Sequence, residues 1–407
     1  MKNYALLLVS DKPDVLSFLS EFKDVHFIPV IKKQYEYLYR DFEQVIIIPS
    51  FEEIALSLAC IEQFVDEYID GRVVAVIPTT EKSVLLAAHL SQHYSVRGNS
   101  VESATLFVDK YEMRTRAMSE NIRCPAARLT SREALTRKEY PVFPFVLKKT
   151  KGSGSQGVAL IHCEQDIDQA LIKFGPPTKH ERLLTETAID IVEEYHSDAV
   201  IENGEIIFQA NSEYIQPILK SPDAFRASIN LRDQFRNHQL NELLPSVVAA
   251  FGAQNGILHM ETLYDGKQLH FGEIALRPGG GGIADLVEEL HGVNLWRELL
   301  RLSFNLPHMI CHKNPISERH VAVALIRSTQ KTKPDEQSAD RLMAQENILQ
   351  IKTFHDQEGN IHHSSPMNSY AQVLFEIPSK IDVKELVRNY VDIYLNNTAA
   401  QGISTPQ

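Results

Sequence analysis

Cysteine is scarce: four among 407 residues, Cys60, Cys124, Cys163 and Cys311, with no C-x-x-C pair. That spacing excludes a zinc-ribbon or thioredoxin-type centre and offers no disulfide framework, so the thiols are expected to be reduced, structural and cytoplasmic. A single tryptophan, Trp296, lies in NLWRELLRL, where helical spacing assigns it to packing rather than to stacking on a ligand. No run approaches the ~20 uninterrupted apolar residues of a membrane helix. The opening MKNYALLLVSDKPD has one Lys before a short apolar run and no small-residue cleavage pattern, which reads as a strand rather than a signal peptide. Basic charge is short too. Lys and Arg number 41 against 53 Asp and Glu, a formal net charge of -12 that argues against a nucleic-acid partner held by overall attraction. What is present, 43% hydrophobic and 23% charged residues, is the composition of ordinary folded domains, and the length predicts two or three of them.

Apolar runs YALLLVS, VHFIPV, QVIIIPS and VVAVIPT alternate with helical segments such as VLSFLSEF and EIALSLACIEQFVDEYI, which predicts a parallel α/β sheet covered by helices. From Pro141 the texture changes to strand, glycine loop, strand, helix and strand, followed by another strand pair around Asn203 and Gly204. LLPSVVAAFGA reads as helix, and GILHMETLYDGKQLHFGEIAL as a hairpin turning at Asp265 and Gly266. RPGGGG then opens onto a helix, IADLVEEL, stopped by Gly292. From about His320, VAVALIR, AQVLFEI and VKELVRNYVDIYLNN suggest an α+β appendage. The expected fold class is therefore α/β and α+β, with domains at residues 1–107, 108–200, 201–320 and 321–407.

KKTKGSGSQGVALIHC contains Gly152, Gly154 and Gly157 in the spacing G-x-G-x-x-G. A dinucleotide fold needs these glycines to open a helix, but VALIHC is β-branched and short. A Walker A loop needs Lys and then Ser or Thr after the last glycine, where Val158 and Ala159 stand. Kinases cover phosphates with a glycine-rich hairpin, yet neither H-R-D nor D-F-G occurs. What remains is a phosphate-covering hairpin of another kind, its backbone N–H groups unshielded by side chains.

At this point the chain resembles the ATP-grasp superfamily of carboxylate-amine ligases over roughly residues 70 to 300. VIPTTEKSVLLAAHL through VDKYEMRTRAMSEN looks like the family's run from a strand ending in Glu81, through a helix, to an Asp-Lys pair and a Met-Arg. FPFVLKKTKGSGSQGV looks like its strand-Lys-glycine-loop element, LLTETAIDIVEEYHSDAVIENGEII like its adenine linker, and HMETLYDGKQLHFGEIALRPGGGG like its metal-binding hairpin. The resemblance implies an ATP-grasp fold with an N-terminal parallel α/β domain like that of biotin carboxylase. It assigns Lys110 and Lys148 to the nucleotide's phosphates or adenine, and Gly152, Ser153, Gly154, Ser155, Gln156 and Gly157 to the phosphate cover. Glu186, Thr187, Ala188 and Ile189 would line adenine, and Glu194 would reach the ribose hydroxyls. Glu193 is one residue away, and strand alternation points the two to opposite faces, so only one can serve.

Glu261 and Glu273 are the implied ligands of Mg²⁺ or Mn²⁺, hard ions that take carboxylates, phosphates and water in ATP sites. A two-residue Asp-Gly turn would set them on opposite faces of the hairpin. A three-residue loop, Tyr264-Asp265-Gly266 with the glycine left-handed and a bulge, would set both on one face, and the metal site demands that odd loop. The family usually has Asn two residues after the second Glu; here that place is Ala275. Arg277 matches the motif's arginine, whose fork would neutralise the transferred phosphoryl group, and Gly279, Gly280, Gly281 and Gly282 would admit the acid substrate's carboxylate to the backbone near a helix N-terminus. Lys148, Glu273 and Arg277 would thus carry catalysis. His259, His270, His308, His312, His362 and His363 lack metal-site spacing and read as structural. Arg226 and Arg232 are candidates to meet substrate carboxylates, or surface residues. H-x-E with R-P-G-G-G-G looks most like the L-amino-acid ligases, which implies small amino-acid substrates, ATP-driven dipeptide formation and a homodimer. A biotin-carboxylase-type enzyme and a nucleotide-binding regulator without turnover are the rival readings.

Overall fold

The apolar runs of the first eighty residues form four strands, β1 (Lys2–Leu8), β2 (His26–Lys32), β3 (Ile46–Ile48) and β4 (Gly71–Pro78), in the order β3-β2-β1-β4 and all parallel. Leu6, Leu7 and Leu8 are fully buried in succession, which requires cover on both faces of the sheet, as parallel sheets have. Helix Ile54–Tyr68 supplies Ile61 to that core, and helix Val84–His93 supplies Leu86 and Leu90. The predicted α/β alternation is present, except that VLSFLSEF is a 3-10 helix over Asp14–Glu21. The computed structural model describes residues 2–10, 14–152, 157–178, 181–220, 225–310, 319–328, 332–361, 368–378 and 381–396.

β5 (Ala127–Thr130), β6 (Phe145–Lys149), β7 (Val158–Ile161) and β8 (Leu183–Thr187) make an antiparallel sheet ordered β5-β8-β6-β7. The glycine-rich segment connects the hairpin β6-β7, whose rungs run from Phe145 opposite Ile161 to Lys148 opposite Val158. Phe145, Leu147 and Ile161 bury against Ile167, Ala170 and Phe174 at helix Glu164–Lys173, which fixes the hairpin's base.

β9 (Glu193–Glu202), β10 (Glu205–Tyr214), β12 (Gly256–Tyr264) and β13 (Leu269–Ala275) follow in the order β13-β12-β9-β10. β9 turns into β10 through Asn203 and Gly204, both at positive φ (53° and 82°), the requirement of a tight hairpin turn. Alternation along β12 sends Leu258 and Met260 toward helices Lys110–Ser119 and Gln234–Phe251, with Met113, Ala117, Val248 and Phe251 in one core. The same alternation sends His259 and Glu261 to the other face, where the candidate site lies.

Two structural units emerge: Met1–Ala210 with Asp233–Pro278 and Leu295–Met309, and Asn211–Arg232 with Gly279–Asn294 and Ile310–Gln407. In the second, β11 (Phe225–Asn230), β14 (Val321–Arg327), β15 (Ile348–Thr353) and β16 (Ser369–Glu376) are antiparallel in the order β11-β14-β16-β15, and Ser212 to Tyr214 at the end of β10 pair with β11. Phe375, Leu386, Tyr390 and Tyr394 pack helix Val383–Tyr394 on this sheet, and Leu286 of helix Ile283–His291 meets Val321, Val323 and Leu374. Among the described residues, no helix is long and apolar enough to cross a membrane.

Candidate active site

The β12-β13 hairpin corrects one expectation. Its loop has four residues, Asp265 to Gln268, between the rung Tyr264–Leu269, rather than the three that were predicted. Asp265 closes it by accepting from the N–H groups of Lys267 (2.9 Å) and Gln268 (2.8 Å), with Gly266 at φ +87°. An even loop by itself would point Glu261 and Glu273 to opposite faces. The extra residue is instead in the strand: Thr262 faces Phe271, but Glu261 faces Glu273, so Gly272 is a bulge and both acids share a face. Only glycine fits there, because a Cβ at 272 would lie 2.8 Å from the Glu261 carbonyl oxygen. The Gly272 carbonyl accepts from Arg114 Nη2, and the Phe271 N–H donates to the Arg123 carbonyl at 2.7 Å. A glycine inside an otherwise regular strand pattern was the available signal for this bulge.

Lys110 sits in the first turn of helix Lys110–Ser119, whose N-cap Asp109 accepts from the N–H groups of Tyr111 and Glu112. Its buried Nζ donates to Glu273 Oε1 at 2.7 Å and to the Gly152 carbonyl at 2.6 Å, and lies 3.5 Å from Glu81 Oε1. Burial works against its charge, but Glu273 and Glu81 outweigh that and raise its pKa, so Lys110 stays a cation. Glu81, in a 3-10 turn after β4, is almost fully buried; desolvation drives its carboxyl upward against the pull of Lys110. Arg277 Nη2 lies 3.7 Å from Glu81 Oε2, and Nη1 donates to the Pro278 carbonyl at 2.8 Å. One network therefore joins the base of the glycine hairpin, the second hairpin acid and the arginine beyond it. Gly152 and Gly157 both hold positive φ (149° and 73°), while Ser153, Gly154, Ser155 and Gln156 lie outside the described residues.

Lys148, on β6, points its Nζ 2.7 Å from Glu186 Oε2, and Arg114 Nε lies 2.9 Å from Glu186 Oε1. Burial favours the neutral acid at Glu186, but Arg114 and Lys148 together hold the carboxyl below its ordinary range. Glu186 sits in β8 between β5 and β6, and after it Thr187, whose N–H donates to the Ala126 carbonyl at 3.0 Å, leads through Ala188 and Ile189 toward β9. Glu193 and Glu194 face opposite ways, as alternation requires. Glu193 is exposed, near Arg236 Nη2 at 3.9 Å, whereas Glu194 is buried and pairs across the ladder with Leu263.

The face bearing Glu261 and Glu273 extends onto β9, where His196 stands opposite Glu261 and Asp198 opposite His259; on β13, Ala275 stands opposite His259. Asp198 lies 2.6 Å from His196 Nδ1 and 2.9 Å from His259 Nδ1, and His259 Nε2 is 3.7 Å from Glu261 Oε1. Burial penalises the Asp198 charge, yet the two imidazoles hold its carboxyl far below the usual range; burial likewise opposes the His259 charge, and Asp198 and Glu261 push it up to about 9. His259 is thus held by Asp198 and set beside a candidate metal ligand. His270 bonds Asp265 in the turn at 3.0 Å, and His312, His362 and His363 lie outside the described residues. The residues that sequence reasoning left out of the site are Glu81, Arg114, His196 and Asp198.

In the second unit, Gly279 to Gly282 form the turn before helix Ile283–His291, with Gly281 and Gly282 at φ +69° and +86°. A Cβ at Gly282 would come within 2.5 Å of Val323 Cγ2, while at Gly280 it would meet nothing within 4 Å. Asp285 in that helix's first turn is held by Lys352 Nζ at 2.7 and 2.8 Å.

Two facing carboxylates suit a hard divalent cation, since directly opposite strand residues hold their Cβ atoms about 5 Å apart. The donor set fits Mg²⁺ or Mn²⁺, with Glu261 and Glu273 to hold it.

No protein-family model matches the chain. In sequence it is 26% identical over 310 residues to the L-arginine-specific L-amino acid ligase of Bacillus subtilis, covering 73% of this chain and 74% of that protein. In structure it resembles an L-amino acid ligase from Bacillus licheniformis, with a TM-score of 0.77 at 15% identity over 96% of this chain and 97% of that one. It also resembles a carboxyaminoimidazole ribonucleotide synthase from Aspergillus clavatus solved with ATP, with a TM-score of 0.70 at 15% identity over 96% and 98% of the two chains. These neighbours are ATP-grasp proteins, and the fold of this chain is the ATP-grasp fold.

Proposed function

We propose that this chain, an ATP-grasp ligase, uses ATP to join L-amino acids into dipeptides through an acyl phosphate. In the first step a substrate carboxylate oxygen attacks the γ-phosphorus, the bond to the β,γ-bridging oxygen breaks, and ADP leaves. An amine then attacks the acyl carbon, the carbon–oxygen bond to phosphate breaks, and phosphate and a proton are released. Such chemistry needs positioning and charge neutralisation, with no nucleophile from the protein.

The observation that carries the reading is the contact set of Lys110, whose one ammonium touches both Glu273 and the Gly152 carbonyl at the root of the glycine hairpin. Lys110, Lys148 and Arg277 are the cations proposed for the polyphosphate and the transferred group. Lys148 is aimed by Glu186, and Glu186 by Arg114. Glu261 and Glu273 would hold the divalent metal, which supplies charge neutralisation at the phosphates. Thr187 to Ile189 would border adenine, Glu194 would face the ribose, and Gly152 to Gly157 would cover the phosphates. The turn Gly279 to Gly282 is the proposed cradle for a substrate carboxylate, because Gly280 leaves its backbone open to approach.

The test is ADP and phosphate release across pairs of L-amino acids, with products identified by mass. Amino-acid-dependent release with a dipeptide product is expected. The likeness to a carboxyaminoimidazole ribonucleotide synthase favours a second reading, in which bicarbonate takes the place of the amino-acid carboxylate. Release that follows bicarbonate and ignores amino acids would replace the first reading with the second.

A further inference from the structure

Ala275, two residues after Glu273 on β13, brings no donor atom to the face that carries Glu261 and Glu273. Directly across the ladder from Ala275 stands His259, on the same face as Glu261 and two residues before it. Its Nε2 is 3.7 Å from Glu261 Oε1. Two ligands at right angles about an octahedral ion with bonds near 2.1 Å lie about 3 Å apart, so a movement of well under 1 Å brings both onto one ion. The other ring nitrogen is already committed. His259 Nδ1 is 2.9 Å from Asp198 Oδ1, and the second oxygen of Asp198 is held by His196 Nδ1 at 2.6 Å, with Asp198 and both imidazoles buried. An ionised carboxylate accepts and cannot donate, so Nδ1 carries the proton of that bond; Nε2 is the ring atom turned toward Glu261, and a metal bound there would take the place of the proton that Asp198 and Glu261 favour on the ring. A carboxylate bonded to the far nitrogen is the arrangement that orients metal-ligating histidines.

We propose that His259 is a third protein ligand of the metal, presented from β12 opposite Ala275, with Asp198 and His196 as positioning residues. The inference rests on the reading of Glu261 and Glu273 as metal ligands. It assigns a mixed nitrogen and oxygen site, and imidazole shifts preference away from Mg²⁺, which favours all-oxygen surroundings, toward Mn²⁺ and later first-row divalent ions.

Mn²⁺ bound to the full-length protein with a non-hydrolysable ATP analogue provides the probe. With [15N]histidine incorporated, pulsed EPR is expected to show a directly coordinated 15N, distinct from the unlabelled adenine nitrogens. His259→Ala should abolish that coupling and weaken Mn²⁺ binding at least tenfold, with a smaller change for Mg²⁺. Asp198→Asn should weaken Mn²⁺ binding about 10- to 100-fold with the coupling altered. His259→Ala combined with Ala275→Asn should restore Mg²⁺ binding without the 15N signal. Nucleotide-dependent Mn²⁺ binding that is lost in Glu273→Ala, yet shows no histidine coupling in the parent protein, overturns the role of His259 and leaves the metal acids standing. Absence of any nucleotide-dependent Mn²⁺ binding overturns both. The parent measurement needs no variant, so a His259→Ala chain that fails to fold does not protect the proposal.

Discussion

Gly272→Ala isolates the device that puts the two hairpin acids on one face. The added Cβ would stand 2.8 Å from the Glu261 carbonyl oxygen and 3.2 Å from its carbon, where ordinary contact begins near 3.4 Å. These are backbone atoms of the neighbouring strand, which cannot rotate aside. Forcing one methyl into such a place costs about 1–3 kcal/mol. The alternative is to abandon the bulge: regular pairing would turn Ile274 out of the core it now fills, forfeiting about 2–3 kcal/mol of burial, and would rotate Glu273 to the opposite face. The two escapes are close in energy, and both displace Glu273 from Glu261. The expected outcome is a melting temperature lower by a few degrees, at about 2–4 °C per kcal/mol. Amino-acid-dependent ADP release should fall about 100-fold, the scale of a 1 Å misplacement in an active site. Gly98→Ala is the matched control, since its Cβ would meet Ser91 at 2.6 Å, a comparable clash away from the hairpin. Differential scanning fluorimetry and coupled ADP release measured on both variants decide the matter. Equal loss of activity in the two, or a Gly272→Ala chain with parental activity, refutes the argument that the bulge sets the geometry.

Arg114→Met should cost about 3–5 kcal/mol in denaturant unfolding, because Glu186 would remain buried with only Lys148 for a partner; Glu186→Gln in the same chain should recover part of that loss. Glu186 also has a pH signature. Its folded-state pKa lies below the unfolded one, so the unfolded chain binds the extra proton and stability rises with pH; the contribution is whole above the ordinary carboxylate range near 4.5 and is lost as pH falls through the lower folded value. Thermal melts from pH 7 to 3 should therefore be shallower for Glu186→Gln than for the parent. Arg277→Ala should reduce ADP release by at least 10²- to 10³-fold while shifting the melting temperature by only a few degrees, since among the described residues the guanidinium makes a 3.7 Å approach to Glu81 and a bond to its own neighbour's carbonyl.

Most of the fold was legible because its elements carry strong local patterns. The parallel strands are uninterrupted apolar runs, helix Ile283–His291 is bounded by glycines at both ends, and the β9-β10 turn is an Asn-Gly pair. The short elements were not. β5 has four residues with none buried, β11 opens beside a segment outside the described residues, and β15 has only its first residue buried; neighbouring strands make them strands, and no hydrophobic period marks them.

The candidate site divides along the same line, between what one segment states and what two segments settle together. Parity required one odd residue between Glu261 and Glu273, and the loop Asp265-Gly266 or the strand glycine at 272 was equally able to provide it. Local chemistry does not choose, since Asp-Gly supports loops of several lengths and a strand glycine weakens pairing without forcing a bulge. The choice is made by Arg114, 158 residues away in sequence, which receives the carbonyl that the bulge turns out of the ladder. The same guanidinium pairs with Glu186, and Glu186 with Lys148. One buried cation therefore couples the register of the β12-β13 hairpin to the aim of the proposed phosphate-binding lysine. A sequence read segment by segment reveals both hairpins but conceals the coupling, because an Arg in the first turns of a helix reads the same whether it reaches solvent or, as Arg114 does, is buried against a carbonyl from a strand 158 residues away.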